Sequence, residues 1–274
     1  MDVNAILNGV KSGQMDIKEA EELLKKLPYE DLGYAKLDHH RKVRQGFEEV
    51  IYCQGKELEH LIGICKRMAD QKINVLGTRA TKEQADAVIQ AVPEFVYDPV
   101  SRILKAEFQK KELIGKIVVC TGGTADIPVA EEAASVAEFF GTRVTRLFDV
   151  GVAGIHRLLQ NLEVFKDVNC VIAAAGMEGA LPGVVAGLVD VPVIAVPTSV
   201  GYGASFGGLS ALLTMIAIML SGVCPEPKYS RIDGSSLSSH ELSATFVKRV
   251  FLSVVPQSVG TNIHSPSTTT PRWP

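Results

Sequence analysis

The sequence lacks an excess of charge of either sign and any apolar segment near its start that resembles a secretion signal. Its 274 residues carry 28 lysines and arginines against 31 aspartates and glutamates, a formal net charge of −3. No basic run breaks this balance, which argues against nucleic acid as the main partner. Because Met1 opens directly into a mixed polar segment, we expect a cytoplasmic protein.

Cysteines are few, odd in number and scattered, at positions 53, 65, 120, 170 and 224. Most lie in apolar segments, which favours buried thiols in a reducing compartment over a disulfide framework. The sequence also lacks the Cys-x-x-Cys and His/Cys spacings of zinc sites, so we predict no metal ligands.

Charged side chains are absent between Val191 and Cys224. Glycines and prolines interrupt this stretch, and its unbroken apolar part is shorter than the roughly 18–20 residues that a bilayer requires. The segment therefore predicts a buried helix at 208–222 that meets a second copy of the chain, and no membrane association. The alternative cover for this helix is an apolar stretch at 246–255.

Three regions of different character divide the chain. Residues 1–110 mix short helices and strands, which predicts a small α+β domain that ends in an extended segment broken at Pro99. Residues 111–223 alternate apolar strands with helices near 128–140, 153–163, 179–189 and 208–222, which predicts an α/β domain with a doubly wound parallel sheet. Residues 224–274 are rich in serine, threonine and proline, which is typical of a disordered tail.

Loops of glycine and small residues follow each predicted strand of the α/β domain. Ligands of such sheets bind at the carboxyl ends of the strands. Four such loops therefore predict a small-molecule pocket, and they span residues 121–126, 149–157, 175–183 and 197–208.

Three side chains in these loops are candidates for acid–base chemistry: Asp126, Glu178 and His156. Each has a plain structural alternative. Asp126 could cap a helix, Glu178 could complement a helix dipole, and His156 could lie on a polar helix face. Together at three strand ends they favour proton transfer on a phosphorylated small molecule.

Further loop residues are predicted to bind the ligand. The turn at 122–124 offers backbone amides to a phosphate before Pro128 starts a helix, and Arg157 can hold an anion with two hydrogen bonds. The predicted binding residues of the α/β domain are Gly122, Gly123, Thr124, Arg157, Gly176, Met177, Gly179, Gly201, Tyr202, Gly203 and Ser205. In the N-terminal domain, an anion clamp or a solvated basic face is formed by His39, His40, Arg41, Arg44 and Arg79.

The long motifs of these regions resemble one family. They read LDHHRKVRQGFEEVIYCQGK, TADIPVAEEA, VGVAGIHRLL and AGMEGALPGVVAGLVDVPVIAVPTSVGYGASFGGLSALLTM. Over roughly residues 30–216 the chain resembles LarB, the carboxylase/hydrolase that begins synthesis of the nickel-pincer nucleotide cofactor. Its second domain is similar to PurE, the aminoimidazole ribonucleotide (AIR) carboxylase. The resemblance implies a flavodoxin-like three-layer α/β/α fold and a homo-oligomer, commonly an octamer with sites near subunit interfaces.

The LarB resemblance also implies a reaction on nicotinic acid adenine dinucleotide and CO2. A cysteine thiolate adds to the pyridinium ring, the ring attacks CO2 at C5, a carboxylate removes the ring proton, and the thiolate leaves. Hydrolysis of the phosphoanhydride, assisted by Mg2+, then releases AMP and the biscarboxylated mononucleotide. In this chain the resemblance gives Asp126 and Glu178 the acidic roles, makes His156 a pocket histidine, and assigns the phosphate to the turn at 122–124.

The chain departs from the family at the nucleophile. Met219 occupies the position of the family's cysteine, and a thioether cannot form a thiolate. Cys224 lies five residues further on, about 140° around an ideal helix. Two alternatives to an impaired LarB-type enzyme therefore stay open: a PurE-type carboxylase of purine biosynthesis, which needs no cysteine, and a non-catalytic nucleotide-binding homologue.

Overall fold

The computed structural model describes residues 3–25, 29–38, 41 and 47–220. The predicted tail at 224–274 and the apolar stretch at 246–255 lie outside these residues. The described helices are α1 Val3–Lys11, α2 Ile17–Lys25, α3 Leu58–Asp70, α4 Lys82–Ala91, α5 Ile127–Phe139, α6 Ile155–Leu159, α7 Leu181–Ala186 and α8 Leu209–Leu220. The strands are β1 Glu30–Asp31, β2 Lys36–Leu37, β3 Val50–Tyr52, β4 Val75–Thr78, β5 Val96–Asp98, β6 Ile103–Ala106, β7 Lys116–Thr121, β8 Arg143–Leu147, β9 Cys170–Ala175 and β10 Val193–Pro197.

The second half of the chain forms a parallel sheet in the order β10-β9-β7-β8. Every residue of β9 is buried, as expected for a central strand covered on both faces. The order places the first strand of the domain inside the sheet, with later strands added on both sides. The predicted doubly wound α/β fold is thereby confirmed.

Alternate residues of the central strands point to opposite layers of helices. Val118 and Cys120 join a core with α6, α7 and α8, whereas Ile117 and Val119 join a core with α5. This division follows from the two-residue period of a strand. The result is the expected three-layer α/β/α arrangement.

The N-terminal domain contains a mixed sheet in the order β3-β4-β6-β5. β3 and β4 are parallel, while β6 pairs antiparallel with both β4 and β5. The predicted extended segment broken at Pro99 is therefore a hairpin, because the turn reverses the chain between β5 and β6. Asp98 fixes this turn by accepting hydrogen bonds from the backbone N–H groups of Val100 and Ser101.

Helix α5 lies between the two sheets. Its alanines, among them Ala130 and Ala134, pack on the parallel sheet. Its larger side chains Val136 and Phe139 pack on Leu76 and Ile103 of the N-terminal sheet. Helix α5 begins directly after Asp126, so the N-terminal domain contacts the same helix that starts at the candidate site.

The second predicted helix of the α/β domain is shorter than the predicted span of 153–163. It ends at Leu159 and is followed by a separate short 3-10 helix, Leu162–Phe165. The Asn161 side chain donates a hydrogen bond to the Arg157 carbonyl oxygen at 2.8 Å. Because this bond satisfies a carbonyl at the end of α6, it replaces the continuation of the helix.

The apolar segment after Val191 contributes β10, a loop and α8. None of the helices in the described ranges combines the length and hydropathy that a bilayer crossing requires.

Candidate active site

Backbone hydrogen bonds connect three of the four loops at the carboxyl edge of the parallel sheet. The Gly122 N–H donates to Ala174 O at 3.0 Å, and the Thr198 N–H donates to Ala175 O at 3.0 Å. The Met177 N–H donates to Val200 O at 2.8 Å. The loops after β7, β9 and β10 therefore form one connected rim, and the pocket expected there stays a prediction.

Asp126 is the most buried acidic side chain of this rim, with 3% of its surface exposed. Its Oδ1 accepts a hydrogen bond from Thr198 Oγ1 at 2.6 Å, and its Oδ2 accepts one from the Gly123 N–H at 2.9 Å. Although Asp126 stands at the N-cap position of α5, its side chain makes no capping hydrogen bond to that helix. The carboxylate therefore closes the turn before α5 and joins it to the loop after β10.

The same hydrogen bonds reduce the number of backbone N–H groups that the turn at 122–124 can offer to a phosphate. Gly122 and Gly123 already donate their N–H groups, to Ala174 O and to Asp126 respectively. Within the described ranges no hydrogen bond engages the Thr124 N–H. The phosphate role of this turn stays a prediction, and the amide of Thr124 is the donor that it can offer.

Thr198 is a site residue that sequence reasoning missed. It is 4% exposed. It follows β10, in a loop where the sequence pattern predicted the glycines and Tyr202 as binding residues instead. A hydroxyl residue directly after an apolar strand was the available signal. Its partner Asp126 lies 72 positions away in sequence, so no local pattern could connect them.

Arg157 is already paired inside the site. Its Nη1 donates to Asp149 Oδ2 at 2.5 Å. Asp149 has a left-handed backbone with φ of 59°, and its N–H donates to Thr121 Oγ1 at 2.9 Å. The end of β7 thus fixes Asp149, which in turn orients the guanidinium of Arg157.

His156 and Glu178 lie on the rim but are exposed. Neither makes a hydrogen bond or ion pair with another side chain in the part of the chain that the structure describes. Asp126 is thus the only one of the three predicted acid–base residues that the described contacts fix in place. The catalytic roles of all three stay predictions.

Two glycines explain the close approach of the loops. A Cβ on Gly176 would overlap the Val200 carbonyl oxygen and lie 2.8 Å from Thr198 Oγ1. Gly179 has φ of 68°, and a Cβ there would lie 2.8 Å from the backbone of Ala211 in α8. Only glycine fits both positions.

The remaining predicted binding residues differ in accessibility. Ser205 is buried, whereas Tyr202 is 81% exposed. Gly201 packs against Ser205, and Gly203 has φ of 63° with open space around it. Tyr202 and the half-exposed Met177 are thus the large side chains that a ligand at this rim could contact.

The basic residues predicted as an anion clamp are engaged or lie outside the described residues. Arg79 Nε lies 3.2 Å from Glu132 Oε1, on α5. Arg41 lies 3.9 Å from Glu49 and over the ring of Phe47. His39, His40 and Arg44 are outside the described residues, and a clamp role for the set stays a prediction.

The described cysteines are buried. Burial raises the pKa of the Cys120 thiol to about 12. Burial also raises the pKa of Cys53 to about 12, although Lys56 and Arg102 act in the opposite direction. Burial likewise raises the pKa of Cys65. Because a thiolate is the nucleophilic form, burial makes these thiols poor nucleophiles. The side chain of Met219 and the whole of Cys224 lie outside the described residues.

No cluster of three metal-binding side chains occurs in the ranges that the structure describes. Mg2+ in nucleotide sites is often held by one or two carboxylates together with substrate phosphates. The exposed Glu178 fits that smaller requirement.

Comparison with known proteins identifies both halves of the chain. Residues 29–109 match the LarB/PurE-like N-terminal domain, and residues 116–226 match AIR carboxylase. An uncharacterized protein of Methanocaldococcus jannaschii is 37% identical over 228 residues, covering 80% of this chain and 88% of that protein.

Other relatives match a shorter part of the chain. The N5-carboxyaminoimidazole ribonucleotide mutase of Methanocaldococcus jannaschii is 37% identical over 103 residues, covering 36% of this chain and 60% of that enzyme. A crystal structure of a Treponema denticola PurE2 variant aligns with a TM-score of 0.33 and 25% identity, covering 51% of this chain and 86% of that chain.

The matched domains support a carboxylase-related function. Their order along the chain is the one that the sequence motifs indicated, with a LarB/PurE-like domain first and a PurE-like domain second. The chain therefore belongs to the LarB family, in which an N-terminal LarB/PurE-like domain precedes an AIR carboxylase domain.

Proposed function

We propose that the chain carboxylates the pyridinium ring of nicotinic acid adenine dinucleotide and hydrolyses its phosphoanhydride to release AMP. The observation that carries this proposal is the buried Asp126, held by Thr198 and Gly123 at the junction of the sheet-edge loops. The N-terminal LarB/PurE-like domain supports the LarB-type substrate.

In this proposal Asp126 accepts the proton that the ring carbon loses after it has bonded to CO2. A carboxylate with one hydrogen bond to each oxygen retains lone pairs for a further donor. Its burial removes competing water and strengthens its electrostatic effect.

Arg157 and the Thr124 amide would hold the anionic parts of the dinucleotide. The Asp149 ion pair keeps the guanidinium of Arg157 in one orientation, and the remaining N–H groups of an arginine can still bind a phosphate or carboxylate. When bound, Mg2+ would neutralise phosphate charge during hydrolysis, and Glu178 is the residue that would help to hold it.

The ring activation needs a thiolate, and Cys224 is the candidate for it. The chain has five cysteines, and the other four are buried. In this proposal Cys224 replaces the family's cysteine, whose position Met219 occupies.

The experiment is direct turnover with matched variants. Purified protein is incubated with nicotinic acid adenine dinucleotide, bicarbonate and Mg2+, and AMP and carboxylated mononucleotide are followed by mass spectrometry. We expect Asp126→Asn to leave only residual carboxylation, Cys224→Ser to abolish it, and the exposed Asp86→Asn on α4 to retain it. Unchanged carboxylation by Cys224→Ser would remove the thiol from the mechanism.

A PurE-type carboxylation of aminoimidazole ribonucleotide is the second candidate. The buried state of Cys53, Cys65, Cys120 and Cys170 favours it, since this reaction needs no thiolate. Growth of a purine-auxotrophic strain that lacks its own AIR carboxylase separates the two. Rescue by this chain would support the PurE-type activity, and no rescue together with AMP release would support the LarB-type activity.

A further inference from the structure

We infer that Thr198 is a positioning residue that holds the Asp126 carboxylate in its reactive orientation. This inference rests on the proposed function, in which Asp126 accepts the substrate's proton. Thr198 has no assigned role in the predicted site.

The contact is short and shielded from water. Thr198 Oγ1 lies 2.6 Å from Asp126 Oδ1, and the two residues are 4% and 3% exposed. The hydroxyl is the donor and the carboxylate oxygen accepts. Hydrogen bonds to a charged partner of this length are stronger than those between neutral groups.

The backbone of Thr198 is fixed on both sides. Its N–H donates to Ala175 O at 3.0 Å. On the other side, a Cβ added to Gly208 would lie 2.8 Å from the Thr198 carbonyl oxygen, so the loop passes close over this peptide. The hydroxyl therefore stands on a rigid frame, which is what orientation of a second group requires.

The space that the hydroxyl occupies depends on Gly176. A Cβ at that position would lie 2.8 Å from Thr198 Oγ1. The loops after β9 and β10 thus leave room for the hydroxyl to reach Asp126.

The two oxygens of Asp126 are held from two different loops. Gly123 belongs to the same turn as Asp126, whereas Thr198 comes from the loop after β10. With only the Gly123 bond, the carboxylate could rotate about its terminal torsion, which is broad for aspartate. The Thr198 bond removes this freedom.

The test measures turnover of nicotinic acid adenine dinucleotide by the full chain. Thr198→Val keeps the shape and removes the hydroxyl. We expect kcat to fall roughly 10- to 100-fold, since a hydrogen bond to a charged group is lost, while KM stays unchanged. Thr198→Ser keeps the donor and restores most of kcat.

A double-mutant cycle tests whether Thr198 acts through Asp126. In the Asp126→Asn background, Thr198→Val should lower residual turnover no further. An equal loss in both backgrounds, or an unchanged kcat in Thr198→Val alone, would overturn the inference. The matched control is Thr142→Val, a buried threonine at the opposite edge of the sheet that is 3% exposed.

A stability measurement keeps the inference separate from the proposed function. If the wild-type chain fails to turn over the dinucleotide, the proposed function fails. The same variants are then compared by urea unfolding. Non-additive losses from Thr198→Val and Asp126→Asn support the hydrogen bond, and additive losses overturn it. Thr198→Ala serves in place of Thr198→Val if the valine variant does not fold.

Discussion

At the residue scale, the rim of the site depends on small side chains and hydroxyl groups. Thr121 and Thr198 stand at the ends of β7 and β10, and each fixes an acidic residue: Asp149 through its backbone and Asp126 through its side chain. Gly176 allows the loops after β9 and β10 to touch.

Gly176→Ala should destabilise the fold by about 1–3 kcal/mol, because the added methyl group overlaps the Val200 carbonyl and must displace a backbone segment. Urea unfolding followed by circular dichroism measures the change. The matched control is Gly187→Ala at the end of α7, where the new Cβ would lie at an ordinary 3.5 Å from its nearest neighbour. Equal stability of the two variants would contradict this account of the rim.

At the scale of elements, α5 joins the two domains through apolar and ionic contacts. Val136 and Phe139 pack on the N-terminal sheet, and Glu132 pairs with Arg79 from the loop after β4. Burial raises the pKa of Glu132 above its ordinary value of 4.5, while Arg79 and Arg102 oppose that shift.

The sign of this shift predicts how stability depends on pH. A carboxyl group whose pKa is raised by folding favours the folded state most below its unfolded value of about 4.5, and this contribution is lost as the pH rises through the folded value. Glu132→Gln should therefore give a flatter decline of the free energy of unfolding as the pH rises from 4.5. Unfolding at several pH values measures it.

Arg79→Leu should make the free energy of unfolding decline more steeply as the pH rises. Removal of the cation leaves a buried carboxylate unpaired, which costs about 3–5 kcal/mol at neutral pH and less at pH 4, where Glu132 is protonated more readily. The control is Lys82→Leu, which removes an exposed ion pair with Asp86 and should change stability by less than about 1 kcal/mol. A loss for Arg79→Leu that does not vary with pH would contradict the burial argument.

At the scale of the whole molecule, α8 and the loop before it present an apolar surface. Tyr202 is 81% exposed and Phe206 77% exposed. On α8 the exposed apolar side chains are Leu209, Leu212, Leu213 and Ile216. A contiguous surface of this kind typically meets another protein, and we propose a second copy of the chain as its partner, in a closed homo-oligomer. An octamer is the size that the family resemblance implies.

Leu213→Glu should lower the molar mass measured by light scattering, because a charge in an apolar subunit interface is costly. Leu213 is 57% exposed in the single chain, so the substitution should not disturb the fold of the subunit itself. Leu7→Glu on α1 is the control, since Leu7 is 53% exposed and lies far from this surface in sequence. A wild-type chain that is a stable monomer would contradict the oligomer.

The sequence by itself determined the fold class and the family, and it predicted a site at the carboxyl edge of the sheet. Strand and helix periods and the glycine-rich loops are local patterns, so they could be recognised without coordinates. The same patterns named Asp126, Glu178 and His156 as candidates without distinguishing among them. The sequence also showed that Met219 occupies the position of the family's cysteine, because this comparison needs only the family's motif.

Only the tertiary structure decided which side chains meet. Thr198 reaches Asp126 across 72 positions, and Arg79 reaches Glu132 across 53. The hydrogen bond from Gly123 to Asp126 uses an amide that the sequence had assigned to a phosphate. Local patterns carry no information about such pairings, because the packing of distant loops and the competition for each donor are settled only when the whole chain has folded.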